Sequence, residues 1–162
     1  MTAREKILSL EALTAKREEH HGRSERIVLA NGCFDLLHVG HVRYLEAARR
    51  EGDVLIVAVN SDASTRAMKG EGRPILPAAD RAELVAALRA VDYVVIFDEP
   101  NVEGVLSSLR PDVHAKGTDY AAETVPERKL ARRLGVRIAI VGDAKRHSMR
   151  GLLARARERL RG

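Results

Sequence analysis

A chain of 162 residues is about one domain, long enough for a single hydrophobic core. Lys and Arg number 28 against 23 Asp and Glu, a net charge of +5 and a pI near 9.7, which suits either nucleic acid or anionic substrates. Aromatic residues at only 3% leave few stacking platforms for single strands, no long apolar run marks a membrane span, and the lone Cys33 excludes an internal disulfide. The N-terminus lacks the apolar core of a signal peptide, so these features together predict a cytoplasmic protein with neither nucleic acid nor membrane as partner.

In chain order, Ser9 predicts the cap of a short helix over residues 10–19, with His20-His21-Gly22 as its solvated end. The paired histidines invite a metal reading, but no other ligand types cluster beside them. Residues 1–25 are expected to form a helical extension packed on a domain of residues 26–162. The apolar runs 27–30 and 53–60 read as strands covered on both faces, with a helix over 42–50 between them, a βαβ unit. Ser61 then caps a helix through Ala67. Residues 68–77, with two glycines, two prolines, Lys69 and Arg73, break the pattern and read as a loop or a mobile flap. A helix over 78–90 should face Leu84, Val85, Leu88 and the small alanines inward, before a strand over 93–97. The helix over 102–109 is expected to be interrupted by Gly104 and ended by Arg110-Pro111. A fourth strand over 112–115 runs into Lys116-Gly117-Thr118-Asp119-Tyr120, and a helix over 126–134 stops at Gly135. The strand 137–141 and a basic helix over 149–160 close the chain. The alternation predicts a single-domain α/β fold with a Rossmann-like, doubly wound, parallel sheet of five strands.

The stretch Asn31-Gly32-Cys33-Phe34-Asp35-Leu36-Leu37-His38-Val39-Gly40-His41 joins strand to helix, which is how α/β proteins build anion sites from backbone N–H groups and the helix dipole. His38 and His41 are three apart and share a face, with Gly40 between them allowing close approach. Cys33 next to a helix N-terminus is a conceivable nucleophile. Zinc is disfavoured, because the protease pattern needs His-Glu-x-x-His. No G-x-G-x-x-G follows the first strand, which argues against a nicotinamide cofactor. Asn31 is a turn residue or a donor to substrate, and Asp35 either holds the loop or contacts ligand. The His38–His41 loop, Asn60, Lys116–Tyr120 and the segment 146–148 each follow a strand, where doubly wound folds bind ligands.

His38-Val39-Gly40-His41 behind Asn31-Gly32-Cys33-Phe34-Asp35 resembles the H-x-G-H signature of the cytidylyltransferase-like nucleotidyltransferase superfamily. Asn60-Ser61-Asp62, Lys69-Gly70 with Gly72-Arg73-Pro74-Ile75, and Lys116–Tyr120 are similar to the D-glycero-β-D-manno-heptose 1-phosphate adenylyltransferases, in order along nearly the whole chain. The resemblance implies transfer of AMP from ATP, with Mg²⁺, to a sugar 1-phosphate, direct in-line displacement of pyrophosphate, and an ADP-sugar for cell-envelope glycan synthesis. It implies catalytic roles for His38, His41 and Lys69. Nucleotide contacts fall to Asn31, Gly32, Cys33, Phe34 and Gly40, to Lys116, Gly117, Asp119 and Tyr120, and to His147, Ser148 and Met149. Asp35, Asn60 and Arg73 are left for the second substrate, and no residue is assigned as a metal ligand. The partners implied are small molecules and further copies of the chain, in a dimer or larger assembly. Relatives are often fused to a sugar kinase, whereas this domain is expected to stand alone. Two alternatives stay open: a cytidylyltransferase acting on glycerol 3-phosphate or a related alcohol phosphate, and a basic nucleic-acid-binding module. At the last motif, relatives carry a Ser-Thr pair where this chain has Ser148-Met149. One phosphate-binding hydroxyl is then lost, with Lys145, Arg146 or Arg150 as compensating charges, and Met149→Thr is expected to tighten ATP binding. The other reading of this position is a pocket re-formed around the thioether.

Overall fold

Strands that are apolar on both faces must be covered twice, and Ile27–Gly32 (β1) and Val54–Asn60 (β2) are of that kind. Between them the helix Val39–Arg49 (α2) makes the crossover. Tyr93–Phe97 (β3), Val113–Gly117 (β4) and Arg137–Val141 (β5) complete a parallel sheet in the order β3-β2-β1-β4-β5. The structure, a computed structural model, describes residues 1–144 and 147–162. Among these the remaining α-helices are Leu10–Gly22 (α1), Asp62–Lys69 (α3), Ala78–Ala86 (α4), Glu103–Leu109 (α5), Arg128–Leu134 (α6) and Met149–Arg161 (α7). The single α/β domain with five parallel strands is as the sequence predicts.

Alternation along the strands divides the core into two layers. Val28 and Ala30 of β1 face Leu45 and Ala48 of α2 and Val85 of α4. Ile27 and Leu29 face the other way, toward Leu13 of α1, Leu106 and Leu109 of α5 and Ala131 of α6. Leu13 is fully buried, an anchor worth about 1.5–3 kcal/mol for the N-terminal segment. Just before it, Ile7 bridges to Val94 and the Leu8 N–H donates to the Val94 carbonyl at 2.9 Å. Those contacts cover the outer edge of β3.

Several boundaries differ from the sequence reading, for physical reasons. The end of α1 is not solvated: His20 contacts Glu25 and the Tyr93 hydroxyl, and His21 Nε2 lies 3.0 Å from Asp112. Tyr93 and Asp112 are distant from α1 in sequence and meet its end only once the sheet forms. Ser61 caps α3 as expected, but the helix runs on through Met68 and Lys69, so the loop begins at Gly70. In α4 the inward face is Arg81, Ala82, Val85 and Ala86, whereas Leu84 is 44% exposed. Leu88 packs on the core from the turn beyond α4 rather than from within it. Gly104 does not interrupt α5. β4 extends through Lys116 and Gly117, which makes both of them strand residues.

From β1 the chain winds outward through β2 to β3, then returns to place β4 on the other side of β1. Loops leave the carboxyl ends of β1 and β4 in opposite directions, and a crevice opens between them. Most of the site residues discussed below border that crevice or the cavity beside it.

Candidate active site

His38 is the N-cap of α2 and His41 is its third residue. The His38 Nδ1 accepts the Gly40 N–H at 3.1 Å, and the His41 Nδ1 accepts the His38 N–H at 3.3 Å. This is a reciprocal capping arrangement built from two imidazoles. A neutral imidazole that accepts at Nδ1 carries its proton at Nε2, so both rings are oriented as Nε2 donors. The rings stack with centroids 3.9 Å apart, and Phe34 lies against His41 edge-on at 5.2 Å. A Cβ at position 40 would stand 2.8 Å from the His38 ring, so only glycine leaves that ring in place.

Two cavities meet at this pair. One, of about 300 Å³, fills the crevice between β1 and β4 and is bordered by Asn31, Gly32, Lys116–Tyr120, Gly142 and His147. The other, of about 430 Å³, is bordered by Asp35, Arg73, Ser148, Met149 and Arg150. Cys33, Phe34, His38, His41 and Lys69 line both, forming the wall between them. Asn60 borders the first cavity rather than the second; it is nearly buried, and its amide donates to Ser64 Oγ at 3.0 Å.

In the first cavity Lys116 is almost buried. Its Nζ lies 3.6 Å from Glu127, 3.5 Å from Asn31 Oδ1 and 4.6 Å from the centre of the Tyr120 ring. Burial, with the charges of Asp119 and Glu127, pushes the Tyr120 phenol up. The second cavity is more basic. Asp35, nearly buried, accepts the Ile75 and Leu76 N–H groups at Oδ1, at 2.8 and 3.0 Å. Its Oδ2 has no hydrogen-bond partner among the described residues, although Arg73 stands 3.6 Å away. Asp35 thus holds with one oxygen the distant loop before α4 rather than its own, while the other oxygen faces Arg73. Arg73 Nη1 also lies 2.9 Å from Met149 Sδ, and the Ser148 hydroxyl caps α7 by accepting the Gly151 N–H at 3.1 Å. Of the charges expected to offset Met149, Arg150 borders this cavity, while Lys145 and Arg146 lie outside the described residues.

Sequence reasoning missed four residues that shape the site. Tyr44 donates its hydroxyl to the Ala115 carbonyl at 2.8 Å, and burial pushes its phenol well up, keeping it a neutral donor between β1 and β4. Asp143 takes Arg43 at 3.0 Å and, through its carbonyl, the Thr118 hydroxyl at 2.7 Å, tying the exit of β5 to α2 and β4. Arg81 is fully buried, donating to the carbonyls of Cys33, Asn60 and Leu76 and to Asp62. His114, also fully buried, reaches Asn31. The one available signal was a lone charged or imidazole group in an apolar pattern, as at Arg81 and His114.

A family model described as cytidylyltransferase-like matches residues 29–149, from β1 to the first residue of α7, and so takes in the lining of both cavities except Arg150. The chain belongs to the cytidylyltransferase-like family. Among relatives of this cytidylyltransferase-like chain, the bifunctional protein HldE of Streptomyces coelicolor is 50% identical over 147 residues, covering 91% of this chain and 31% of that protein. HldE of Citrifermentans bemidjiense is 46% identical over 136 residues, covering 84% and 28%. The chain therefore spans about a third of the length of these relatives. A solved structure of a lipopolysaccharide core biosynthesis protein from Thermoplasma volcanium superposes with a TM-score of 0.64 at 27% identity, covering 75% of this chain and 99% of that one. As a nucleotidyltransferase of this family, the chain has its paired imidazoles at the start of α2, on the wall shared by the two cavities.

Proposed function

We propose that the protein transfers AMP from ATP to a sugar 1-phosphate, D-glycero-β-D-manno-heptose 1-phosphate, releasing pyrophosphate. The observation that carries this reading is the shared wall: His38 and His41 stand between a crevice of nucleotide dimensions and a basic cavity with a buried carboxylate. In this reading the nucleotide occupies the β1/β4 crevice. The acceptor phosphate occupies the cavity of Arg73 and Arg150, and Asp35 Oδ2 accepts a sugar hydroxyl. The attacking phosphate oxygen is already anionic, so no base is required. Catalysis is then orientation plus stabilisation of charge on the α-phosphate and the leaving pyrophosphate. The Nε2–H groups of His38 and His41 and the Lys69 ammonium supply those donors.

No group of three or more His, Cys, Asp or Glu gathers as a metal site among the described residues. In this reading Mg²⁺ enters as part of the substrate, liganded by phosphate oxygens and water. The HldE and lipopolysaccharide-core names of the relatives support the heptose and the envelope pathway. No helix among the described residues is long and apolar enough to cross a membrane. The reading places the work in the cytoplasm, on small molecules rather than on nucleic acid. The assembly proposed is a dimer or larger.

Purified protein incubated with ATP or CTP and a panel of sugar and alcohol phosphates, with pyrophosphate release followed, tests the reading. Release is expected with ATP and the heptose 1-phosphate. Preference for CTP with glycerol 3-phosphate would replace it with the cytidylyltransferase alternative, and no release with any pair would overturn it.

A further inference from the structure

The register of β1 with β4 pairs Leu29 with His114 and Ala30 with Ala115, so Asn31, His114 and Lys116 stand on the same face of the sheet as Leu29. His114 is fully buried, and its Nε2 lies 3.0 Å from Asn31 Oδ1. The Lys116 Nζ approaches that same atom at 3.5 Å. An ammonium only donates, so the Asn31 atom facing it is the oxygen, and His114 must be the donor at Nε2. The Asn31 amide is thereby fixed in one of its two orientations. Its N–H₂ points away from His114 and Lys116, at the carboxyl end of β1 where Asn31 borders the crevice.

The His114 Nδ1 has no partner among the described residues. A buried acceptor left unpaired is unfavourable, and leucine of similar volume would avoid it. Stability therefore does not account for histidine at this place on β4. Burial, then the neighbouring Lys116, holds its pKa down to about 3, so the ring remains an uncharged donor wherever the protein is folded near neutral pH.

We infer that His114 is a positioning residue that orients Asn31 so that the amide N–H₂ donates to an oxygen of the bound nucleoside triphosphate. This rests on the proposed placement of the nucleotide in the β1/β4 crevice. The acceptor is a phosphate or a ribose oxygen, since both present the same lone pairs.

The test is calorimetric titration with ATP at one pH and salt concentration for wild type, His114→Leu, His114→Gln, Asn31→Ala and the double variant His114→Leu/Asn31→Ala. The leucine variant should melt no lower than wild type yet bind ATP roughly three- to tenfold more weakly, the worth of about one hydrogen bond. Glutamine places an N–H near the Nε2 position and should restore wild-type affinity. Asn31→Ala should weaken binding by a similar factor, and the double variant no further. If His114→Leu does not fold, His114→Met takes its place in the cycle. Adenosine titrated in parallel separates the acceptors: affinity lost for adenosine as well marks the ribose, and affinity lost for ATP alone marks a phosphate. ATP binding by the leucine variant equal to wild type, or losses that add in the double variant, would overturn the inference while leaving the proposed reaction intact. A wild-type protein that binds neither ATP nor CTP would overturn both.

Discussion

His38 and His41 each place one ring nitrogen on the backbone of α2 and orient the other as a donor. Each therefore has a structural and a chemical role, and the two separate experimentally. His38→Ala and His41→Ala should each lower turnover by about 10²–10³-fold, as expected for losing one preorganised donor. His38→Ala should also destabilise the fold by about 0.5–2 kcal/mol through the lost cap. His38→Asn should recover the melting temperature, because asparagine caps well, while turnover stays low. Pyrophosphate release beside thermal melts checks this, and near-wild-type turnover in both alanine variants would remove the pair from the chemistry. Met149 shows how a contact revises an expectation. Read from the sequence, it was a lost hydroxyl, and Met149→Thr was expected to tighten ATP binding. Its sulfur lies against the Arg73 guanidinium on the wall of the second cavity, away from the crevice. The threonine variant is now expected to bind ATP as wild type does and to raise the KM for the sugar phosphate, since Arg73 loses its seat. Tighter ATP binding by calorimetry would restore the first reading.

At the scale of elements, the loop after α3 is held by two groups that local pattern does not reveal. Asp35 accepts the backbone N–H groups of Ile75 and Leu76, and Arg81 holds the carbonyls of Cys33, Asn60 and Leu76 together. Arg81→Leu would remove the donor that these buried carbonyls share, leaving only the Thr65 hydroxyl on that of Asn60, a loss of roughly 3 kcal/mol or more. Urea unfolding should show that drop, and a change under about 1 kcal/mol would mean the carbonyls find other donors. Lys69 ends α3, where a cation complements the negative end of the helix dipole, and it borders both cavities. Lys69→Ala should therefore reduce turnover more than ATP affinity, because its charge matters most as negative charge builds on the phosphates. A pure binding defect, or an unchanged rate, would return Lys69 to a helix-end role. The Ser9 and Ser61 caps are legible because a side-chain oxygen before a helix is a local signal, and the hydroxyl of each accepts an N–H in the first turn.

For the whole molecule, His114 links stability to acid. Unfolded, its pKa is near 6.5, and folded it is held to about 3. Between those values the unfolded chain binds a proton that the folded chain excludes. The stabilisation is thus complete above pH 6.5 and is lost as pH falls toward 3, at up to about 1.4 kcal/mol per pH unit. His114→Leu should flatten this acid limb, read as urea midpoints at pH 7.5 and pH 5, and an equally steep loss in the variant would assign the limb to other groups. By itself the sequence determined the order of strands and helices, the five-stranded parallel sheet, and the loop holding His38 and His41. Periodicity, caps and glycines act within a few residues, and a strand–loop–helix junction is a local object. Only the tertiary structure decided the partners of His20 and His21, the buried place of Arg81, the division of the site into two cavities, and the pairing of His114 with Asn31. Each of these depends on which strands and helices come to lie side by side, a neighbour relation set by the winding of the whole sheet and not by any stretch of the chain.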